Sequence, residues 1–150
     1  DSRLAWNFVE KSFKVFLSAS VDVAAKRVMY DAKRGEVEVY TSLEEAKQKL
    51  KERMITEDRR YRDIYGIEYL NYSNYNLILD STDCSPEVLA RILIEEAKAY
   101  EAAEQAGKGG YTRLLLSANR PKEDFSKERE AGIVTKEVLQ GVEFEVVTLL

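Results

Sequence analysis

A chain of 150 residues, 45% hydrophobic and 33% charged, is long enough for one packed domain and ordinary for a globular fold. Its net charge of −4 leaves no basic excess to neutralise a phosphate backbone, which excludes general nucleic-acid binding but not one nucleotide held by a few arginines. With a single cysteine and no histidine, an internal disulfide, a Cys/His zinc site and a Ser-His triad are excluded as well.

The lone Cys84 is expected to be an inert residue, buried or half-buried, rather than a nucleophile. No apolar run reaches membrane length and no signal-peptide pattern opens the sequence, so no membrane partner and a cytoplasmic location are expected. The chain begins Asp1-Ser2-Arg3 without Met, which reads as a fragment or a processed product.

In chain order, residues 1–12 mix polar and aromatic side chains and predict a short helix, with Trp6, Phe8 and Val9 packing inward. Phe13 to Ser18 is short, apolar and rich in β-formers, so it predicts a buried strand. Ser20 caps a helix over Val21 to Val28. Tyr30 to Thr41, broken by Gly35, reads as a mobile connection with Lys33 and Arg34 near its tip.

The longest helical pattern follows, from Ser42 to Tyr65. Ser42 and Glu45 form a capping box, Gly66 is the stop, and Leu43, Ala46, Leu50, Met54, Tyr61, Ile64 and Tyr65 form an apolar stripe. Arg53, Glu57 and Arg60 stand at i, i+4 and i+7, within about 60° of one another on one face. Two guanidinium groups around a carboxylate suit a phosphorylated, hydroxylated ligand; they also suit an ordinary salt-bridged surface helix.

Tyr75 to Asp80 predicts a second buried strand. Ser85 and Pro86 start another helix, buried along Val88, Leu89, Ile92, Leu93, Ala97 and Tyr100 and dissolving in a linker at 107–110. Beyond it, Tyr111 to Ser117 predicts a strand, Lys122 to Glu130 a charged helix, and Val142 to Leu150 a last strand whose apolar edge needs a partner. Two strand–helix units joined by a long crossover indicate an α/β class with parallel strands. Two strands are too few for an open parallel sheet, so at least half of the sheet must come from elsewhere.

Four pieces in a fixed order carry a family resemblance over residues 1 to about 100. They are Asp1-Ser2-Arg3-Leu4-Ala5-Trp6; Phe13 to Ser18 with Ala24-Ala25-Lys26-Arg27; Glu52 to Tyr61, an R-x-x-x-[DE]-x-x-R run; and Arg62 to Ile67 with Asn74 to Thr82 and Ser85 to Val88. The segment resembles the C-terminal half of a cytidylate kinase, in the cytidylate kinase-like branch of the P-loop nucleoside monophosphate kinases. The resemblance implies a partial three-layer parallel sheet of P-loop kinase type lacking its N-terminal half (residues 1–106), followed by the linker and by a small C-terminal α+β appendage at 111–150. That tail could instead complete the sheet in place of the missing strands.

The resemblance also implies ATP-dependent phosphorylation of CMP, dCMP or a related acceptor in the intact protein, with ATP and Mg²⁺ as cofactors. Arg27, at the entry to a lid with Arg34 as a second candidate, would stabilise the transferring phosphate; Arg3, Arg53, Glu57 and Arg60 would bind the acceptor. Arg59, Arg62, Lys33 and Arg34 are expected to face solvent. The sequence departs from the family in one respect. No G-x-x-x-x-G-K-[ST] occurs, and Gly107-Lys108-Gly109-Gly110 has neither the spacing nor a preceding strand. These residues alone are therefore expected not to transfer phosphate. A non-catalytic kinase-derived module for binding or for homo-oligomer assembly through exposed sheet edges is the alternative.

Overall fold

The computed structural model describes residues 3–31 and 40–149. Lys33, Arg34 and the connection around Gly35 lie outside the described residues, as do Asp1 and Ser2. The chain divides into two compact units, residues 1–18 with 72–150, and residues 19–71.

The first unit is built on a mixed five-stranded sheet of order β1-β2-β3-β5-β4, formed by Val15–Ser18, Leu77–Asp80, Thr112–Ser117, Val142–Leu149 and Gly132–Leu139 respectively. β1, β2 and β3 are parallel, with Phe16 opposite Ile78 and Ile78 opposite Leu114. β5 runs antiparallel to both β3 and β4. The fold class is α/β, as expected, but the strands completing the sheet come from residues 111–150. Of the two expectations for that segment, an appendage or a completion of the sheet, the structure shows the second: it supplies three of the five strands of one continuous sheet.

The run Leu77-Ile78-Leu79 is apolar at every position because β2 is covered on both faces. On one face, Leu77, Leu79, Leu115, Phe144 and Val146 pack with Ile92 of the helix α4 (Pro86–Gln105). On the other, Ile78, Leu114, Leu116 and Val147 pack with Tyr75 and Phe125. Cys84 is buried in the first cluster.

β1 is a strand, but an outer one. Only Ser18 of its four residues is buried, and Leu17 is exposed. The helix expected near the N-terminus is a single turn, α1 (Ala5–Phe8). Trp6 is half-buried, its ring 5.9 Å from Tyr75, whereas Phe8 and Val9 are exposed; one helical turn can direct only one face inward.

A strand that sequence patterning missed, β4, forms a hairpin with β5 through Gln140-Gly141. Both turn residues have positive φ, 55° and 79°, the conformation of a two-residue hairpin turn, and glycine accommodates it without strain. Between β3 and β4 lie a 3-10 turn at Lys122–Phe125 and the short helix α5 (Ser126–Ala131), in the region predicted as charged helix.

The second unit contains α2 (Val21–Tyr30) packed against α3 (Leu43–Tyr65). The side chain of Ser20 caps α2 and that of Ser42 caps α3, the latter accepting from the Glu45 N–H at 3.1 Å. The predicted capping box is half formed, because the Glu45 carboxylate accepts from the Thr41 N–H at 2.7 Å rather than from that of Ser42. These Thr41 hydrogen bonds hold the Glu45 carboxyl below its ordinary range. Ser42→Ala removes one orphan-donor partner and is expected to cost about 1 kcal/mol, read from chemical denaturation of the variant. Gly66 closes α3 in the left-handed conformation, with φ 68°.

Only part of the predicted stripe on α3 is covered. At 1.5 Å per residue, α2 is roughly 15 Å long and α3 roughly 35 Å, so α2 cannot shield the whole of its partner. Ala46 is fully buried, while Met54, Ile64 and Tyr65 are exposed.

Candidate functional site

Helix geometry puts the three predicted acceptor-binding residues of α3 on one face. Glu57 is the buried charged residue of that helix, 9% exposed, and it accepts from Arg53 Nε at 3.1 Å. The Arg53 side chain remains about half exposed, at 49%. A carboxylate that is largely shielded while its guanidinium partner keeps an open side differs from a solvated i, i+4 pair. Glu57 orients the fork through Nε, and the arginine side chain is still half exposed to solvent.

Arg60, one turn on, is exposed and lies 5.3 Å from the Tyr61 ring centroid, a cation–π contact that restrains its stem. Tyr61 in turn meets Tyr69 edge-on at 5.4 Å, and the Tyr69 hydroxyl donates to the Met54 carbonyl at 3.4 Å. The segment after α3 thus folds back and fastens on it, fixing the part of the helix that carries the charges.

Neighbouring arginines are occupied differently. Arg62 donates to Asp58 at 2.9 Å and approaches Glu68 at 3.5 Å, which fits a surface role; Arg59 is exposed. At the other end of the helix, Lys47 bridges Asp22 of α2 at 2.5 Å and Glu44 at 2.9 Å. The Lys47 ammonium holds the Asp22 carboxyl below its ordinary range.

Arg27 stands in the last turn of α2, exposed, in the same unit as Arg53, Glu57 and Arg60. Arg3 belongs to the sheet unit and is exposed before α1. The structure therefore joins Arg53 to Glu57 directly, sets Arg60 on their helix and Arg27 on the packed neighbour, and leaves Arg3 in the other unit. Two open clefts of about 230 and 340 Å³ in the sheet unit include none of these five residues among their walls.

A polar network not anticipated from the sequence occupies the C-terminal ends of β2 and β3. Asp80 is fully buried and accepts from Thr82 N–H at 3.0 Å, Thr82 Oγ1 at 2.6 Å, Ser117 N–H at 3.1 Å and Arg120 Nη1 at 3.0 Å. Arg120 also donates from Nε to Asp124 at 2.7 Å and lies 5.0 Å from the Phe125 ring centroid. Ser117 and Asn119 both donate to Asp83. The Asp80 and Asp124 carboxylates share the Arg120 guanidinium, which ties the two together as a strut. The available sequence signal was an aspartate ending an apolar strand, but its partner lies 40 residues away.

Comparison with known proteins bears on the same residues. The cytidylate kinase-like family matches residues 1–83, a stretch that holds all five predicted site residues and ends before β3. The chain is 39% identical over 88 residues to a cytidylate kinase of Pyrococcus abyssi, covering 58% of this chain and 45% of that protein. It is 37% identical over 82 residues to a cytidylate kinase of Methanopyrus kandleri, covering 55% and 39%. An S-adenosylmethionine-dependent nucleotide dehydratase of Lacinutrix mariniflava is 28% identical over 105 residues, covering 70% of this chain and 21% of that protein. The chain spans less than half the length of each of these relatives. No solved structure matches at a significant level.

Proposed function

The chain belongs to the cytidylate kinase-like family, and from that premise we propose that the charged face of α3 binds the phosphate and sugar of a nucleoside monophosphate such as CMP. The observation that carries this reading is the Arg53–Glu57 pair, in which a shielded carboxylate orients an arginine whose side chain is half exposed. Arg53 and Arg60 would take the phosphate, since a planar fork binds it bidentately and remains charged. Glu57 would hold Arg53 in place and accept from a sugar hydroxyl. Arg27 would neutralise charge on the transferring phosphoryl group, the main task of a protein in this chemistry. The assignment of Arg3 to the acceptor phosphate rests on the family resemblance alone.

ATP and Mg²⁺ belong to the reaction that the kinase relatives' names describe. The residues here do not fit that pair. The described glycines lie at turns, helix ends and a strand start with no G-x-x-x-x-G-K-[ST] spacing, and no group of three acidic, Cys or His residues that could hold a metal occurs among the described residues. The reading is therefore of an acceptor-side segment of a phosphotransferase that does not catalyse transfer by itself.

Calorimetric titration of CMP into the 150-residue chain tests it. Saturable binding is expected, and Arg53→Ala or Arg60→Ala is expected to weaken it by about ten-fold or more, the worth of a charge-assisted phosphate contact. No saturable binding of CMP, dCMP or UMP would sink the proposal. A second reading, a kinase-derived module that binds a nucleotide without transferring phosphate, draws on the dehydratase relative, a protein named for different nucleotide chemistry. Both readings expect CMP binding. Only the first expects a longer form carrying a glycine-rich phosphate loop to phosphorylate CMP with ATP.

A further inference from the structure

We propose that the chain self-associates through β4, which pairs antiparallel with β4 of a second copy about a two-fold axis at Lys136. β4 is the last strand of the sheet on its side, eight residues long, and no described residue pairs with its outer edge. Its aliphatic side chains are unusually open: Ile133 is 60% and Val138 68% exposed, and Val134 is exposed as well. An edge of this length with such side chains is a ready template for another strand.

The backbone is set for it. In a two-residue hairpin the flanking residues, here Leu139 and Val142, form a hydrogen-bonded pair, and such pairs recur at every second position. Leu139, Glu137, Thr135 and Ile133 thus turn their N–H and C=O groups toward β5. Consistently, the alternate set on β5 faces β3, where Ala118 N–H donates to the Glu143 carbonyl. Val138, Lys136, Val134 and Gly132 are left with their backbone groups directed outward.

The sequence identifies the occupant. Ile133-Val134-Thr135-Lys136-Glu137-Val138-Leu139 is symmetric in polarity about Lys136, with two aliphatic residues and one polar residue on each side. A two-fold interface brings the same patch from both copies together, so it requires self-complementarity of this kind. With the axis at Lys136, Val134 faces Val138, Ile133 faces Leu139 and Thr135 faces Glu137, each pair occurring twice. Moving the axis by one residue to Thr135 sets Ile133 against Glu137 and Val134 against Lys136. The preferred register has one cost, two lysines directly opposite at the axis, where like charges disfavour the pair. Each Lys136 stands across its own hairpin from Glu145, but that carboxylate is already ion-paired with Arg129, so the lysine pair remains the cost of this register.

One strand per partner makes a small interface, so dissociation in the range of about 10 to 100 µM is expected. Sedimentation equilibrium of the 150-residue chain from roughly 1 to 500 µM is expected to show a monomer–dimer equilibrium. Lys136→Thr is expected to tighten it by about three-fold and Val138→Lys to weaken it by about ten-fold, each with an unchanged circular dichroism spectrum and melt because these side chains are exposed. Lys136→Cys is expected to form an intermolecular disulfide on mild oxidation, and Thr135→Cys is not, since it faces Glu137 of the partner copy. A monomer at all concentrations would overturn the proposal. So would a dimer indifferent to both Lys136→Thr and Val138→Lys, or equal cross-linking at positions 135 and 136.

Discussion

Replacing Arg120 with leucine is expected to remove about 3–5 kcal/mol of stability from the sheet unit, because it strands a buried carboxylate. Asp80 is 0% exposed, and the Arg120 side chain that balances it is 8% exposed, so solvent does little to screen either charge. The three remaining donors, two from Thr82 and one from the Ser117 backbone, supply dipoles but no counter-charge. Against a typical total of about 5–15 kcal/mol, the variant should sit near the folding threshold. Thermal melts should fall by roughly 10 °C or more for a chain of this size. The companion variant Asp80→Asn/Arg120→Leu is expected to recover part of the loss, because it removes both charges while keeping an acceptor for the Ser117 N–H. A loss under about 1 kcal/mol for Arg120→Leu would mean that the strut behaves like an exposed ion pair.

Ending the chain at Ala106 is expected to leave the sheet unit unable to fold cooperatively. The deleted segment contributes Leu114, Leu115, Leu116, Phe125, Phe144, Val146 and Val147, each almost fully buried. At roughly 1.5–3 kcal/mol per buried side chain, their removal forfeits on the order of 10–20 kcal/mol, at least as much as a domain's typical net stability. What remains is β1 beside β2, and two parallel strands do not make an independent sheet. Leu77, Ile78 and Leu79, now fully buried, would lie on an open edge. Proton–nitrogen correlation spectra of the 1–106 chain should lack dispersed resonances for β1, β2 and α4. A dispersed spectrum with a cooperative melt would show residues 111–150 to be a dispensable appendage.

How much of this was legible in the sequence differs from element to element. β2 announced itself, because a strand covered on both faces reads as a continuous apolar run, here Leu77-Ile78-Leu79. The helix caps were equally readable, since Ser20, Ser42 and Ser85 each accept the hydrogen bond that their position predicts. β4 was invisible because an outer strand answers to no core. Its Thr-Lys-Glu centre is permitted by exposure, and the Gln140-Gly141 turn was the clearer signal. Phe8 and Val9 misled in the opposite direction, since hydrophobic residues are often exposed and patterning cannot tell which ones a single helical turn will cover. In the candidate site, the i, i+4 spacing of Arg53 and Glu57 was readable. The burial of Glu57 was not, because it depends on neighbours that periodicity does not name. The Asp80–Arg120 pair lay furthest out of reach, joining the end of β2 to a residue beyond the family match.

The insertion of α2 and α3 between β1 and β2 also sets a schedule. The hydrogen bond from the Lys14 N–H to Asn76 closes a gap of 62 residues, whereas the β4–β5 hairpin closes over two. Local pairings form on the microsecond scale, and long closures are slower and entropically costlier. Among the described strands, β1 leaves the ribosome before β2, the strand it pairs with, and β2 in turn waits for β3. These strands should therefore be laid down from the last-made one back toward β1, with β1 the last of them to settle and the first to open under mild denaturant.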